Sequence, residues 1–141
     1  MTTYSMMDVL MASPTEPLAE HKRRHQLTRM FDAMHNLETA DRPTETDWEC
    51  VNDAVVLMEA LRNMGVVEDK ENLLEDAIEA LGRAGFRRME GMKLRLDGEG
   101  IQALRAVLED YAAVLEVVPA RTMITAHRKA EARVLKIVRR K

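Results

Sequence analysis

The chain has 141 residues, 46% of them hydrophobic and 32% charged, and a net charge of −3. That is the size of one domain with enough apolar mass for a core, which excludes global disorder. The single cysteine, Cys50, excludes an internal disulfide and a cysteine-built zinc site.

Only 4% of the residues are aromatic, so Leu, Val, Ala and Met must build the core. Gly and Pro are sparse, and long runs of strand formers are absent, which favours helix. The expected fold is all-α: a compact bundle of four to five helices over 18–141, preceded by an irregular arm over 1–17. The eleven methionines are expected mainly to fill gaps in the core. No basic leader followed by an apolar run opens the sequence, and no 18-residue apolar run occurs in it. A cytoplasmic protein that does not enter the membrane is therefore expected.

The arm carries Met6, Met7, Leu10 and Met11, too apolar a set for a free tail, and is expected to dock on the body or on a partner. The first helix is predicted from about Leu18 to Leu37, with Leu27, Met30, Phe31, Met34 and Leu37 on one face. His21, Lys22, Arg23, Arg24 and His25 crowd its first turns, where positive charge opposes the helix dipole. Glu16 and Glu20 are placed to offset it.

The second helix follows Pro43, with two overlapping capping registers, Thr44-x-x-Asp47 and Thr46-x-x-Glu49. Its apolar face is Trp48, Val51, Val55, Met58 and Leu61, with Leu57 beside it, and Gly65 ends it. The third helix begins near Asp69 and carries Leu73, Leu74, Ala77, Ile78 and Leu81. Gly82 and Gly85 each weaken it by about 1 kcal/mol relative to Ala, which predicts fraying or a break there. Met92 to Leu96 alternates apolar and basic residues without a partner strand, and reads as a loop.

Asp97-Gly98 caps the fourth helix, whose stripe of Ile101, Leu104, Val107, Leu108, Tyr111, Val114, Leu115 and Val118 is the most regular in the chain. Pro119 kinks it or starts a new helix. The last helix runs from about Arg121 to Arg139, with Met123, His127, Ala130, Val134 and Ile137 on one face.

Charge is segregated along the chain. From Glu38 to Glu79 there are 13 acidic and three basic residues, a balance of −10. From Ala120 to Lys141 eight basic residues face one acid, a balance of +7. Lys129, Arg133, Lys136 and Arg140 fall at offsets 0, 4, 7 and 11, one stripe of the last helix, with Arg128 and Arg139 beside it. Such a stripe is either a solvated face that meets the acidic middle of the same fold, a phosphate-binding surface for nucleic acid, or a contact for a complementary protein. The acidic whole chain and the lack of any nucleic-acid-binding signature weigh against the second.

Chemistry-bearing patterns are poor. His21 and His25 have a metal-gripping spacing, but Lys22, Arg23 and Arg24 between them repel a cation, so they read as surface histidines. Cys50 is opposed by Glu49 and Asp53 and reads as a buried structural thiol. Asp97-Gly98-Glu99-Gly100 lacks the spaced ligands of a calcium loop. His127 reads as a satisfied interface histidine. No catalytic set, metal site or cofactor is expected.

Met7-Asp8-x-Leu10-Met11, then Thr44-x-x-Asp47-Trp48, Asn52 and Gly65, then Leu96-Asp97-Gly98-x-Gly100 before a long amphipathic helix resemble a group of small helical proteins of proteobacterial phages, prophages and mobile elements. The resemblance spans about residues 7 to 135. It implies a non-enzymatic accessory protein that acts by binding, as a regulator or as an inhibitor of a host complex or host defence. The expectation is a protein partner, contacted through Met6, Met7, Leu10 and Met11 of the arm or through the basic stripe. The alternative is a nucleic-acid-associated regulator using that stripe. Homodimerisation through apolar surface on the last two helices is compatible with either.

Overall fold

The computed structural model describes the backbone of residues 3–139 and the side chains of all of these except residue 70 and residues 134–139. Among the described residues there are six α-helices and no strand: α1 Met6–Met11, α2 Glu20–Thr39, α3 Glu45–Asn63, α4 Leu73–Met89, α5 Gly98–Val117 and α6 Ala120–Arg139. A 3-10 turn, Lys70–Asn72, leads into α4. No helix of the described residues is long and apolar enough to cross a membrane. Five long helices make the bundle, and the sixth, α1, lies in the arm expected to be irregular. Ser5 caps it in a reciprocal box with Asp8: the Ser5 hydroxyl accepts from the Asp8 amide and the Asp8 carboxylate accepts from the Ser5 amide.

The start of α2 has no side-chain cap. Its crowded positive charge is relieved instead by Arg24 pairing with Glu20 at 2.7 Å and by Arg23 donating to the Leu18 carbonyl at 2.9 Å. At α3 the two capping registers resolve in favour of Thr44 with Asp47. Gly65, at φ +77°, reverses the chain in the left-handed conformation. The Val66 and Gly65 amides then reach back to the Leu61 and Arg62 carbonyls, which closes the end of α3.

The expected break at Gly82 and Gly85 does not occur, and α4 runs on to Met89. A Cβ added at Gly85 would sit 3.5 Å from the Trp48 ring. Trp48 also donates its indole N–H to the Leu81 carbonyl at 3.0 Å. Packing of α4 on α3 and α5 therefore outweighs two glycine penalties of about 1 kcal/mol each. At Gly100 α5 lies close against α4, because a Cβ there would come within 2.7 Å of the Ala80 Cβ. Residues 92–97 form a connection without regular structure, with Leu94 buried as its anchor. Pro119 separates α5 from α6.

The largest fully buried side chains are Leu61, Leu81, Leu104, Leu108, Leu115, Met123, Val51 and Val55. Each contributes roughly 1.5–3 kcal/mol before ordering entropy is charged against it. The predicted stripes of α3 and α5 lie in this core, apart from the half-buried Trp48, Ile101 and Val114. Phe31, expected in the core, is exposed. The methionines also depart from expectation: four are buried, Met30, Met34, Met58 and Met123, and five are exposed, Met6, Met7, Met11, Met89 and Met92. Charged ties join the elements at the surface. Arg62 reaches Glu75 at 2.7 Å and Asp69 at 3.5 Å, linking α3 to the start of α4. Arg105 of α5 grips both carboxylate oxygens of Glu38 on α2 at 2.6 and 2.7 Å.

Candidate functional site

Two surfaces and one cleft gather the residues singled out from the sequence. The first surface is the arm. It docks on α6 by polar contacts in both directions. The Ala120 amide donates to the Glu16 carbonyl at 2.8 Å and the Arg121 amide to the Ser13 carbonyl at 3.0 Å. These N–H groups at the start of α6 have no partner within their own helix, so the arm caps α6. In return the Arg121 guanidinium donates to the Val9 and Leu10 carbonyls, each at 3.1 Å, and caps the end of α1. The Thr3 hydroxyl adds a bond to Glu131 at 3.3 Å.

No residue of α1 is buried. Met6, Met7, Leu10 and Met11 remain 57%, 63%, 60% and 79% exposed. Spacings of three and four make Met7 a neighbour of Leu10 and Met11, and Met6 a neighbour of Leu10, so the four form one apolar ridge.

The second surface is the basic helix. Arg133 pairs with Glu59 of α3, and Arg128, half-buried, directs a guanidinium N–H to the Met6 sulfur at 3.4 Å. Glu59 belongs to the acidic middle of the chain, so part of the segregated charge is satisfied within the fold. Lys129 is exposed. The side chains of Lys136 and Arg139, and all of Arg140, lie outside the described residues.

The cleft has a volume of about 210 Å³ and lies between α2, α3, α5 and α6. Its apolar walls are Met30 of α2 and Ala54 and Leu57 of α3. Gln26 and Arg29 line it from α2, and Thr46, Glu49, Cys50 and Asp53 from α3. Tyr111 and His127 close it from α5 and α6. The Tyr111 hydroxyl donates to the Gln26 side-chain oxygen at 3.4 Å, and burial raises its pKa.

His127 corrects the expectation of a satisfied histidine. It is only 8% exposed, and neither ring nitrogen has a hydrogen-bond partner among the described residues. Tyr4 of the arm meets the ring edge-on, with centroids 5.1 Å apart, and covers it without supplying a hydrogen bond. Burial lowers the His127 pKa to about 4, so the ring is neutral at pH 7. Cys50 is half-buried, and burial raises its pKa, which keeps the thiol protonated and unreactive. Burial likewise raises the pKa of Asp53.

His21 and His25 are both exposed, and the described residues contain no group of three His, Cys, Asp or Glu side chains able to hold a metal ion. Asp97 serves as a helix cap, accepting from the Gly100 amide at 2.7 Å.

Sequence reasoning singled out His127 and Cys50, with Asp53 only as a charge opposing the thiol, and did not find their neighbours Gln26 and Arg29. The available signal was the row Glu49, Cys50 and Asp53, polar residues bordering the apolar stripe of α3, opposite a histidine on the apolar face of α6. No family model, curated protein or solved structure matches the chain.

Proposed function

We propose that this chain is a non-enzymatic accessory protein of a phage or mobile element, acting by protein–protein contact as a regulator or inhibitor of a host complex. The observation that carries the reading is the ridge of Met6, Met7, Leu10 and Met11, left exposed on a helix whose backbone is tied at both ends. A grouped apolar surface on a monomer has a cost in solubility and commonly marks an interaction site. Methionine suits such a site because its unbranched, polarisable side chain adapts to an apolar groove. The resemblance of the Met7-Asp8-x-Leu10-Met11 segment and the later capping motifs to mobile-element proteins supports the biological setting.

The alternative, a nucleic-acid-associated regulator, draws on the basic stripe. Pairing of Arg133 with Glu59 and contact of Arg128 with Met6 take two of its cations into the fold, which favours the protein reading.

The test is cross-linking capture from a native host with the intact chain and with a variant carrying Met6→Gln, Met7→Gln, Leu10→Gln and Met11→Gln. All four positions are exposed, so the variant is expected to fold. A partner held by the intact chain and lost from the variant is the expected result. Identical captured sets from both chains refute the role of the ridge.

A further inference from the structure

We propose that the pocket between the α2–α3 connection and the end of α4 binds a phosphate monoester, the dianionic group of a phosphorylated side chain or of a nucleotide. The sequence sets up the charge. From Arg83 to Arg95 there are five basic residues and one acid, Glu90, in a chain whose net charge is −3. The fold brings the end of that run against Arg42, which precedes α3. The pocket has a volume of about 270 Å³. Arg42, Arg88 and Lys93 line it together, and no carboxylate among the described residues does. Pro43, Met92 and Leu94 complete its walls.

Cations gathered at one point repel one another, and an anion among them relieves the repulsion. Neighbouring carboxylates offset only part of the charge. Asp41 lies 3.1 Å from Lys93 and 3.8 Å from Arg95, and Glu45 lies 3.5 Å from Arg88. Both carboxylates are exposed, so water screens these pairs. The Arg42 side chain has no ion pair or hydrogen bond among the described residues. With Arg87 and Glu90 included, the five cations Arg42, Arg87, Arg88, Lys93 and Arg95 stand against the three carboxylates Asp41, Glu45 and Glu90, an excess of two. Glu38 and Asp47, on the flanking helices, are engaged by Arg105 and by the Thr44 cap. A phosphate monoester carries about −1.5 to −2 at neutral pH, which matches the excess. The donor set points the same way. Two guanidinium forks and one ammonium suit a group with three acceptor oxygens, whereas a single fork satisfies a carboxylate. Three cations around one pocket hold one such group and lack the length of a stripe that follows a nucleic-acid backbone. The site shares no residue with the ridge of α1, so it stands or fails separately from the protein-contact reading.

The test uses the full chain at about pH 7.5 and a constant ionic strength of about 0.1 M, followed by nitrogen-15 NMR of the backbone. The probes are N-acetyl-O-phosphoserine amide and AMP, with sodium acetate as the monoanionic control. The phosphates are expected to shift the Arg42, Gly91 and Lys93 amides in a saturable way, with a dissociation constant on the order of 1 mM. Acetate is expected to produce no saturable shift. Tighter binding of the phosphoserine amide assigns the group to a phosphorylated protein, and tighter binding of AMP assigns it to a nucleotide. Arg42→Ala and Lys93→Ala are each expected to weaken phosphate binding about fivefold, and the backbone spectrum of each variant reports whether it is folded. Absence of saturation with both phosphates, equal saturation by acetate, or undiminished affinity in the folded variants overturns the proposal. The comparison of probes on the native chain decides the matter even where a variant fails to fold.

Discussion

His127 offers the sharpest quantitative test, through the substitution His127→Leu read against pH. In the unfolded chain the imidazole takes up its proton near pH 6.5, and in the folded chain only near pH 4. Unfolding is therefore accompanied by proton uptake between those values. Stability from this group is complete above about pH 6.5 and falls as the pH drops towards 4. The full difference corresponds to about 3 kcal/mol, of which about 2 kcal/mol is already lost on going from about pH 7.5 to about pH 5. Acidification acts on the whole chain, so the informative quantity is the difference between the two chains. Urea unfolding followed by circular dichroism at the two pH values measures it. The native chain is expected to lose about 2 kcal/mol more than the His127→Leu variant. At neutral pH the substitution removes two buried nitrogens that have no hydrogen-bond partner among the described residues, a gain of about 1–3 kcal/mol, and an edge-on ring contact with Tyr4 worth about 0.5–1.5 kcal/mol. The variant is thus expected to be about 1 kcal/mol more stable at neutral pH. Parallel losses in both chains on acidification, or a clear loss of stability at neutral pH, refute the picture of a histidine buried without partners.

The α4 and α5 region supplies two backbone tests. Gly100→Ala forces a methyl against the Ala80 Cβ at 2.7 Å, and is expected to destabilise by about 1–2 kcal/mol once the better helix propensity of alanine is deducted. An unchanged or raised thermal midpoint contradicts the close approach of α4 and α5. Glu71→Gly relieves a left-handed residue at φ 62°, and is expected to stabilise by about 0.5–1 kcal/mol, net of the extra freedom of glycine in the unfolded chain. Chemical denaturation that places the glycine variant below the native chain removes the argument for strain at that turn.

The parts of the fold legible in sequence are those where a local rule and the tertiary environment agree. Thr44 with Asp47 and the stripe from Leu104 to Leu115 are such places, because cap chemistry and 3.6-residue periodicity operate within one helix. The misread elements are those decided between helices. Nothing local to Gly85 announces that the Trp48 ring lies against it, so two glycines read as a break where α4 continues. Phe31 has the period of the α2 stripe but lies at its edge, where it stays 41% exposed. The short helix in the arm was legible in principle from Ser5-x-x-Asp8, although six residues are far too few to hold a helix alone. The cleft was legible only in fragments. His127 belongs to an apolar stripe and Asp53 to a polar border, and their meeting depends on how α6 lies across α3.

The arm and the cleft are coupled by the way α1 is held. A six-residue helix that buries none of its side chains gains almost nothing from the hydrophobic effect. Its position rests on hydrogen bonds with α6, in which the Arg121 guanidinium takes two carbonyls of α1 and the Ser13 and Glu16 carbonyls of the arm take the first two amides of α6, at about 1 kcal/mol per hydrogen bond. That arrangement leaves the apolar ridge facing outwards, because apart from the Arg128 contact with the Met6 sulfur the docking uses the backbone of α1 and not the side chains of the ridge. It also sets Tyr4 over His127, so the arm that presents the ridge covers one side of the histidine. A contact that draws the whole arm away from α6 therefore uncaps two helices and uncovers a desolvated imidazole together. The ridge can meet a partner at low cost only while the arm stays docked, which makes the exposed methionines and the buried histidine two consequences of one set of hydrogen bonds.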